Sequence, residues 1–277
     1  MGFFSIFSHV RACRELVQLL TSHRQLTIEM TKREIFDRYI GQIFGVFWAV
    51  GHPLFLMALF VFIFSFVFKL KMGGTAEMPF DYTTYLLAGL VPWMAFQEGM
   101  IKGSNVIVAN THLVKQIVFP IEVLPVKGVL TSVITMVISL IVLTLYVLIS
   151  FHRLPWTYAL LPVLIFLQLL CMIGISYLLS SVGVFFKDLK DFVMLFSIAG
   201  LYLIPVFYLP VQVPRLLRPI LYLNPFSYAI WCYQDVLYFG KIVHLWSWAV
   251  FSLESIGIFY FGFLVFRKLR IMFGNVL

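Results

Sequence analysis

The chain has 277 residues, of which 62% are apolar, 18% aromatic and only 12% charged, with a formal net charge of +8. A soluble domain carries about 25% charged residues, so these charges are too few to cover a water-facing surface. The positive balance therefore points to membrane topology rather than to nucleic acid. Cys13, Cys171 and Cys232 form no CxxC pair and have no His at ligand spacing, which speaks against a disulfide framework and against a metal site.

The first 45 residues are too polar to insert and lack an apolar stretch before a small-residue cleavage site, so a cleavable signal peptide is not expected. Val10, Cys13, Val17 and Leu20 recur on one helical face with Arg11, Arg14 and Gln18 opposite. A second, charge-dense helical stretch runs from Thr27 to Tyr39. Both helices could lie on the inner membrane surface or pack on protein, and the pattern leaves the two readings open.

A helix crossing a bilayer needs about 20 apolar residues. The chain offers five clear stretches and one broken one. Span 1 is expected over Val46–Phe68 with Pro53 inside, span 2 over Thr83–Ile101 with Pro92 and Trp93, and span 3 over Leu130–Ile149. Span 4 is expected over Tyr158–Val184 and span 6 over Leu245–Phe266. Span 5 begins near Phe192 and is stopped by Pro205 and Pro210. Residues 205–225 then hold Pro205, Pro210, Pro214, Pro219 and Pro225 among apolar neighbours. That segment is too broken to span and too apolar for a free loop. A re-entrant or interfacial helical hairpin over about 205–228 fits, because broken backbone at membrane depth must be covered by protein or water.

Lys and Arg set the orientation. With the N-terminus inside, Arg11, Arg14, Arg24, Lys32, Arg33, Arg38, Lys102, Lys115, Lys127, Lys187, Lys190, Arg267, Lys268 and Arg270 fall on the inner side. Lys69, Lys71, Arg153, Arg215, Arg218 and Lys241 fall outside, so both termini are expected in the cytoplasm. The expected fold is thus an all-α polytopic membrane protein. Its parts are cytoplasmic amphipathic helices (1–45), a six-span domain (46–266) and a cytoplasmic tail (267–277).

Polar residues inside the spans are few: His52, Glu98, Gln168 and Glu254. Intramembrane charges are candidates for substrate or proton handling, but Glu98 and Glu254 each lie near a span end and could instead reach an interface. Gly41/Gly45 and Gly99/Gly103 have GxxxG spacing, which allows close helix approach but is common by chance among 17 glycines. No P-loop, GxSxG or HExxH motif is present, so ATP would have to be handled by another chain. Asn110 and Thr111 are plausible caps for a short helix over His112–Ile117 that stops before Pro120. Such a helix, at the inner ends of two spans, is either a lever for a partner or an ordinary connector.

Several motifs in order carry a family resemblance: Arg38-Tyr39 with Gly45, Trp48 and Pro53; Gly89-Leu90-Val91-Pro92-Trp93; Asn110, Leu113 and Lys115 followed by Phe119-Pro120-Ile121-Glu122-Val123-Leu124-Pro125; Phe186-Lys187-Asp188-Leu189-Lys190-Asp191; Asn224-Pro225; and Phe266-Arg267-Lys268-Leu269. Over nearly the whole chain after residue 30, the sequence resembles the permease subunits of bacterial ABC-type exporters of lipid-linked polysaccharides, the O-antigen, teichoic acid and capsule export group. It departs from them in its long N-terminal extension, in Lys187 where Arg is more usual, and in His52 where Asn is common.

The resemblance implies a half-transporter of the bacterial inner membrane. Two copies would form a homodimer served by two ABC ATPase subunits, which bind ATP and Mg, while this chain binds no cofactor. Its cargo would be a polyprenyl-pyrophosphate-linked glycan. Coupling to the ATPase falls to Glu34 and Arg38 on the interface helix and to Asn110, Thr111, His112, Leu113, Val114 and Lys115 in a coupling helix over about 110–118. Lys32, Arg33 and Arg38 are placed to meet pyrophosphate. Trp48, Trp93, Phe96, Tyr202, Phe207 and Tyr208 are candidates for the glycan path. Pro210, Pro214, Pro219, Asn224 and Pro225 would form an outer gate. The alternatives are an exporter permease for another lipid or small molecule, which usually has a larger outer domain than residues 69–82 allow, and a membrane-embedded transferase, which would need a catalytic cluster that the short loops lack.

Overall fold

A computed structural model of the chain describes residues 23–37, 44–67, 79–115 and 119–277. The Val10–Leu20 helix, Arg38, Gly41 and residues 116–118 of the expected coupling helix lie outside them. Among the described residues every regular element is helical. In chain order these are α1 (Arg24–Asp37), α2 (Trp48–Val61), α3 (Tyr82–Ala109), α4 (Thr111–Val114) and α5 (Val123–Phe151), then α6 (Leu161–Gly183), α7 (Leu189–Leu203), α8 (Arg218–Leu223), α9 (Pro225–Gln234) and α10 (Leu245–Val276). A π-helical stretch, Phe62–Val67, prolongs α2, and another, Asp235–Phe239, prolongs α9.

Three described helices are long and apolar enough to cross a membrane: Val123–Phe151, Trp156–Gly183 and Leu245–Gly274. They fall where spans 3, 4 and 6 were expected. Helix α3 is as long, at 28 residues, but carries Gln97, Glu98 and Lys102. It is also the most enclosed helix, packed by α5, α6, α7 and α9. Tyr85, Leu86, Ala88 and Trp93 on it have no exposed surface. A helix sheathed by protein can be less apolar than one sheathed by lipid, so hydropathy understates α3.

Small residues set the closest contacts. Gly99 and Gly103 face α6, where an added Cβ would stand 2.5 Å from Met172 Cε and 3.0 Å from Ser176 Cα respectively. Helices α6 and α10 touch backbone to backbone, because a Cβ at Gly262 would lie 2.2 Å from the Gly174 carbonyl oxygen. Such contacts maximise van der Waals packing where lipid supplies no hydrophobic drive.

Helix α7 has only 15 residues, about 22 Å at 1.5 Å per residue and short of a bilayer core. Beyond it the chain breaks at Pro205, and the freed carbonyls are taken up by neighbouring helices. The Tyr82 hydroxyl donates to Phe207 O (2.9 Å), and the Tyr85 hydroxyl donates to Tyr208 O (3.0 Å) and Pro205 O (3.3 Å). Gln234 Nε2 also donates to Pro205 O at 2.7 Å. Asn224 caps α9 by accepting from the Phe226 N–H, with Pro225 at the first helical position. The turn into α10 is tied by the fully buried Asp235, which is bonded by His244 Nδ1 (2.8 Å), the His244 N–H (3.0 Å) and Trp248 Nε1 (3.1 Å).

Helix α10 runs 32 residues to Val276. Residues 267–276, expected as a tail, therefore continue helix α10, and Phe266 and Phe273 at that end are buried.

Candidate functional site

Tyr82 and Lys102 are 20 residues apart on α3, about 30 Å along a helix and the thickness of a hydrocarbon core. At the Tyr82 end sits the proline-rich segment. The Lys102 end carries an ion network joining α1, α3 and α5. Lys102 Nζ lies 3.1 Å from Glu98, 3.6 Å from Glu34 Oε1 and in hydrogen-bond contact with Thr131 Oγ1. Lys127 Nζ lies 3.5 Å from Glu34 Oε2 and 3.5 Å from Asn110 Oδ1. Glu34 thus stands between a lysine of α3 and one of α5. Its helix, α1, packs along α5, with Thr31 buried and Met30 against the core, and Glu34 adds a polar tie from α1 to α3 and α5.

Asn110 ends α3 and begins α4. Its side chain was expected to cap the short helix. Instead its amide donates back to Val106 O at 2.7 Å while its oxygen accepts from Lys127. The backbone carbonyl of Asn110 accepts from the N–H groups of Leu113 and Val114, which closes α4. That helix is one turn long; Val114 is buried, Leu113 half-buried, and His112 and Lys115 exposed. Lys115 Nζ donates to the backbone oxygen of Leu277 at 2.9 Å, and Arg270 pairs with the buried Glu122 at the start of α5. The C-terminal helix end is therefore latched to the same region as α1.

Two cavities flank Lys102. One, of about 400 Å³, is lined by His52, Met94, Glu98, Lys102, Ser132 and Ser139 among others. The second, of about 720 Å³, is lined by Arg33, Glu34, Lys102, Asn110, Lys127 and Thr131 among others. Both fall in the size range of small-molecule sites, roughly 300–1,000 Å³.

The remaining expected residues are dispersed. Lys32 pairs with Glu29 (3.0 Å) and Arg33 with Asp37 (3.3 Å) on the exposed face of α1. Trp93 and Phe96 are buried, both edge-on to Phe226, so in this chain they belong to the core. Trp48 is exposed near Phe44 on α2. Tyr202, Phe207 and Phe60 do form one cluster, with ring centroids 5.5 and 5.8 Å apart. Tyr208 donates to Tyr202 O. Pro214 and Pro219 are exposed and Pro210 half-buried. Gln168 is buried and donates to Pro92 O at 2.9 Å, while Glu254 borders a small cavity beside Cys171 and Phe226. Sequence reasoning missed the roles of Lys102, Lys127, Glu122 and Arg270. It registered these residues only as topology charges or motif letters, because their partners lie far away in the chain.

Fold and site together define an α-helical membrane protein whose N-terminal helix, short inter-span helix and C-terminal helix end meet at one end of the bundle. The ABC-2 type transporter family model matches residues 25–238, and the chain belongs to that family. It is 29% identical over 262 residues to an O-antigen export system permease protein, RfbA, of Klebsiella pneumoniae, covering 91% of this chain and 95% of that protein. It is likewise 29% identical over 232 residues to the protein of the same name from Myxococcus xanthus, with 83% and 85% covered.

Proposed function

We propose that this chain is the permease half of an ATP-driven exporter that moves a polyprenyl-pyrophosphate-linked, O-antigen-like polysaccharide out of the cytoplasm across the bacterial inner membrane. The observation that carries the reading is end-to-end similarity to proteins named as O-antigen export permeases. Membership of a transporter family makes a transport subunit, rather than an enzyme, the natural assignment. In this reading six spans cross the membrane with both termini inside, and two copies pair to enclose a path. Two ABC ATPase subunits bind ATP and Mg and dock on the inner side. The Pro-rich segment is a re-entrant hairpin at the outer mouth, where the Tyr202–Phe207–Phe60 cluster offers flat, apolar faces to sugars.

Force would enter through Asn110–Lys115, the coupling helix, and through α1, the interface helix. The ion network supports this: a push on α4 reaches α5 through Asn110 and Lys127, and reaches α1 and α3 through Glu34. Replacing His112–Lys115 with Gly and Ser in the assembled transporter should leave insertion and ATPase binding intact while abolishing surface glycan. Normal surface glycan in that variant refutes the assignment.

A further inference from the structure

A third cavity, of about 190 Å³, shares no residue with the two beside Lys102. Its walls are Ile28 of α1, Val126 and Leu130 of α5, Leu169 and Ile173 of α6, and Phe259 of α10. From Tyr177 to Leu169 it follows α6 for about 12 Å of helix. One leaflet of a hydrocarbon core is about 15 Å deep, so the groove matches most of that depth. One turn beyond its walls Ile134, Phe166 and Ile256 are exposed, as is Ile28 at the rim, so it opens onto the apolar outside of the bundle. The rim holds a single charge. Arg24 is exposed and makes no ion pair or hydrogen bond among the described residues. The other polar groups of the lining are committed to backbone: Thr27 Oγ1 donates to His23 O at 2.9 Å, and the Tyr177 hydroxyl donates to Glu122 O at 3.2 Å. Glu29, the acid nearest in the chain, is paired with Lys32. A guanidinium with five N–H donors to place therefore stands at the mouth of an apolar groove.

We propose that this groove seats one anionic phospholipid of the phosphatidylglycerol class, with its phosphodiester on Arg24 and one acyl chain along α6 beneath α1. The two halves of the site match the two halves of that molecule. A guanidinium holds phosphate oxygens through two parallel N–H bonds. The walls offer an acyl chain apolar contact and leave no free donor for a more polar occupant. A rim with one cation and no free acid favours a head group of net negative charge over a zwitterionic one, by about fivefold for one basic residue. The proposal needs only that the bundle sits in a membrane, and it is independent of the exported cargo. Helix α1 itself buries Thr31 and rests Met30 on the core. A chain beneath Thr27 and Ile28 extends that contact toward the start of the helix, so the lipid ties this part of α1 to α5, α6 and α10.

The test counts lipids bound to the full-length protein. It is purified in neutral detergent, and phosphatidylglycerol or phosphatidylcholine of the same chain length is titrated in and read by native mass spectrometry. The wild type should saturate at one tightly held phosphatidylglycerol per chain, preferred about fivefold over phosphatidylcholine. Arg24→Gln should erase the preference, and Arg24→Lys should keep part of it. Thr27→Phe fills the groove and leaves Arg24 in place, so it should lower the occupancy of both lipids. Lys32→Gln, on the exposed face of α1, should change nothing. In hydrogen exchange on the wild type, phosphatidylglycerol should slow residues 24–31 more than phosphatidylcholine does at equal concentration.

A preference that survives Arg24→Gln overturns the assignment, and so does occupancy untouched by Thr27→Phe. Binding that never saturates near one lipid per chain is annular and overturns it too. Hydrogen exchange decides the matter if a variant fails to fold: equal protection by the two lipids, or none, refutes the site. Undecaprenyl pyrophosphate should not displace the lipid at equal concentration. Displacement that Arg24→Gln abolishes makes the groove a cargo site, and the proposal falls. Val17→Asp/Leu20→Asp spoils the apolar face of the segment before α1 and should leave the preference unchanged. A preference that appears only in that variant means that the chain's own N-terminal segment fills the groove, and the lipid assignment is wrong.

Discussion

The pairing of Arg270 with Glu122 gives a sharp prediction about the C-terminal helix end. The Glu122 side chain is 8% exposed and that of Arg270 39%. The Glu122 backbone carbonyl is separately held by the Tyr177 hydroxyl at 3.2 Å, so the segment stays in place when the arginine is cut. Arg270→Ala then leaves a buried carboxylate without its cation. Breaking a buried pair costs about 3–5 kcal/mol, but the arginine is more than a third exposed and water screens it. The expected loss is therefore about 1–3 kcal/mol, the range for an orphaned buried polar group. For a chain of this size that lowers the unfolding midpoint by roughly 2–10 °C. The assay is thermal unfolding of the detergent-solubilised protein followed by the monodisperse fraction on size exclusion. Glu122→Gln in the Arg270→Ala background removes the stranded charge and should recover at least half of the loss. If the double variant is no more stable than Arg270→Ala, the pair is a surface accident and the latch is not structural. On the proposed export reading, Arg270→Ala should raise ATP hydrolysis per glycan exported, since one of the two tethers between the C-terminal helix end and the α4–α5 region is gone.

Other consequences follow from the same contacts. Tyr85→Phe leaves Tyr208 O without its donor while Pro205 O keeps Gln234; a destabilisation of about 1–2 kcal/mol is expected in thermal unfolding, with faster hydrogen exchange confined to residues 204–212. Gly262→Ala would place its Cβ 2.2 Å from the Gly174 carbonyl oxygen, whereas a Cβ at Gly257 meets nothing within 4 Å. Gly262→Ala should accordingly cost about 1–3 kcal/mol and lower the yield of folded protein, with Gly257→Ala indistinguishable from wild type; equal behaviour of the two would refute the α6–α10 contact. Trp248→Phe removes one of three donors to the buried Asp235 and should cost about 1–3 kcal/mol, measured against substitution of the exposed Trp246 by Phe.

The sequence by itself determined the solvent. A chain with 12% charged and 62% apolar residues has no water-soluble solution, and long apolar runs in a bilayer satisfy their backbone only as helices. Proline positions likewise showed where α7 stops, since Pro205 withdraws a donor whatever surrounds it. The Gly99/Gly103 spacing was compatible with close helix approach but no more than chance predicts, and only the structure shows that it faces α6. Pairings across the chain were decided only by tertiary structure. Glu34 meets Lys102 and Lys127 from 68 and 93 residues away, and Arg270 meets Glu122 across 148. No local periodicity encodes such distances, because helix patterns record which face is buried and not what buries it. The same limit applies to Trp93 and Phe96: an aromatic side chain inside a span does not say whether it lines a path, faces lipid or packs inside, and here both are buried edge-on to Phe226, which the proline-rich turn brings back.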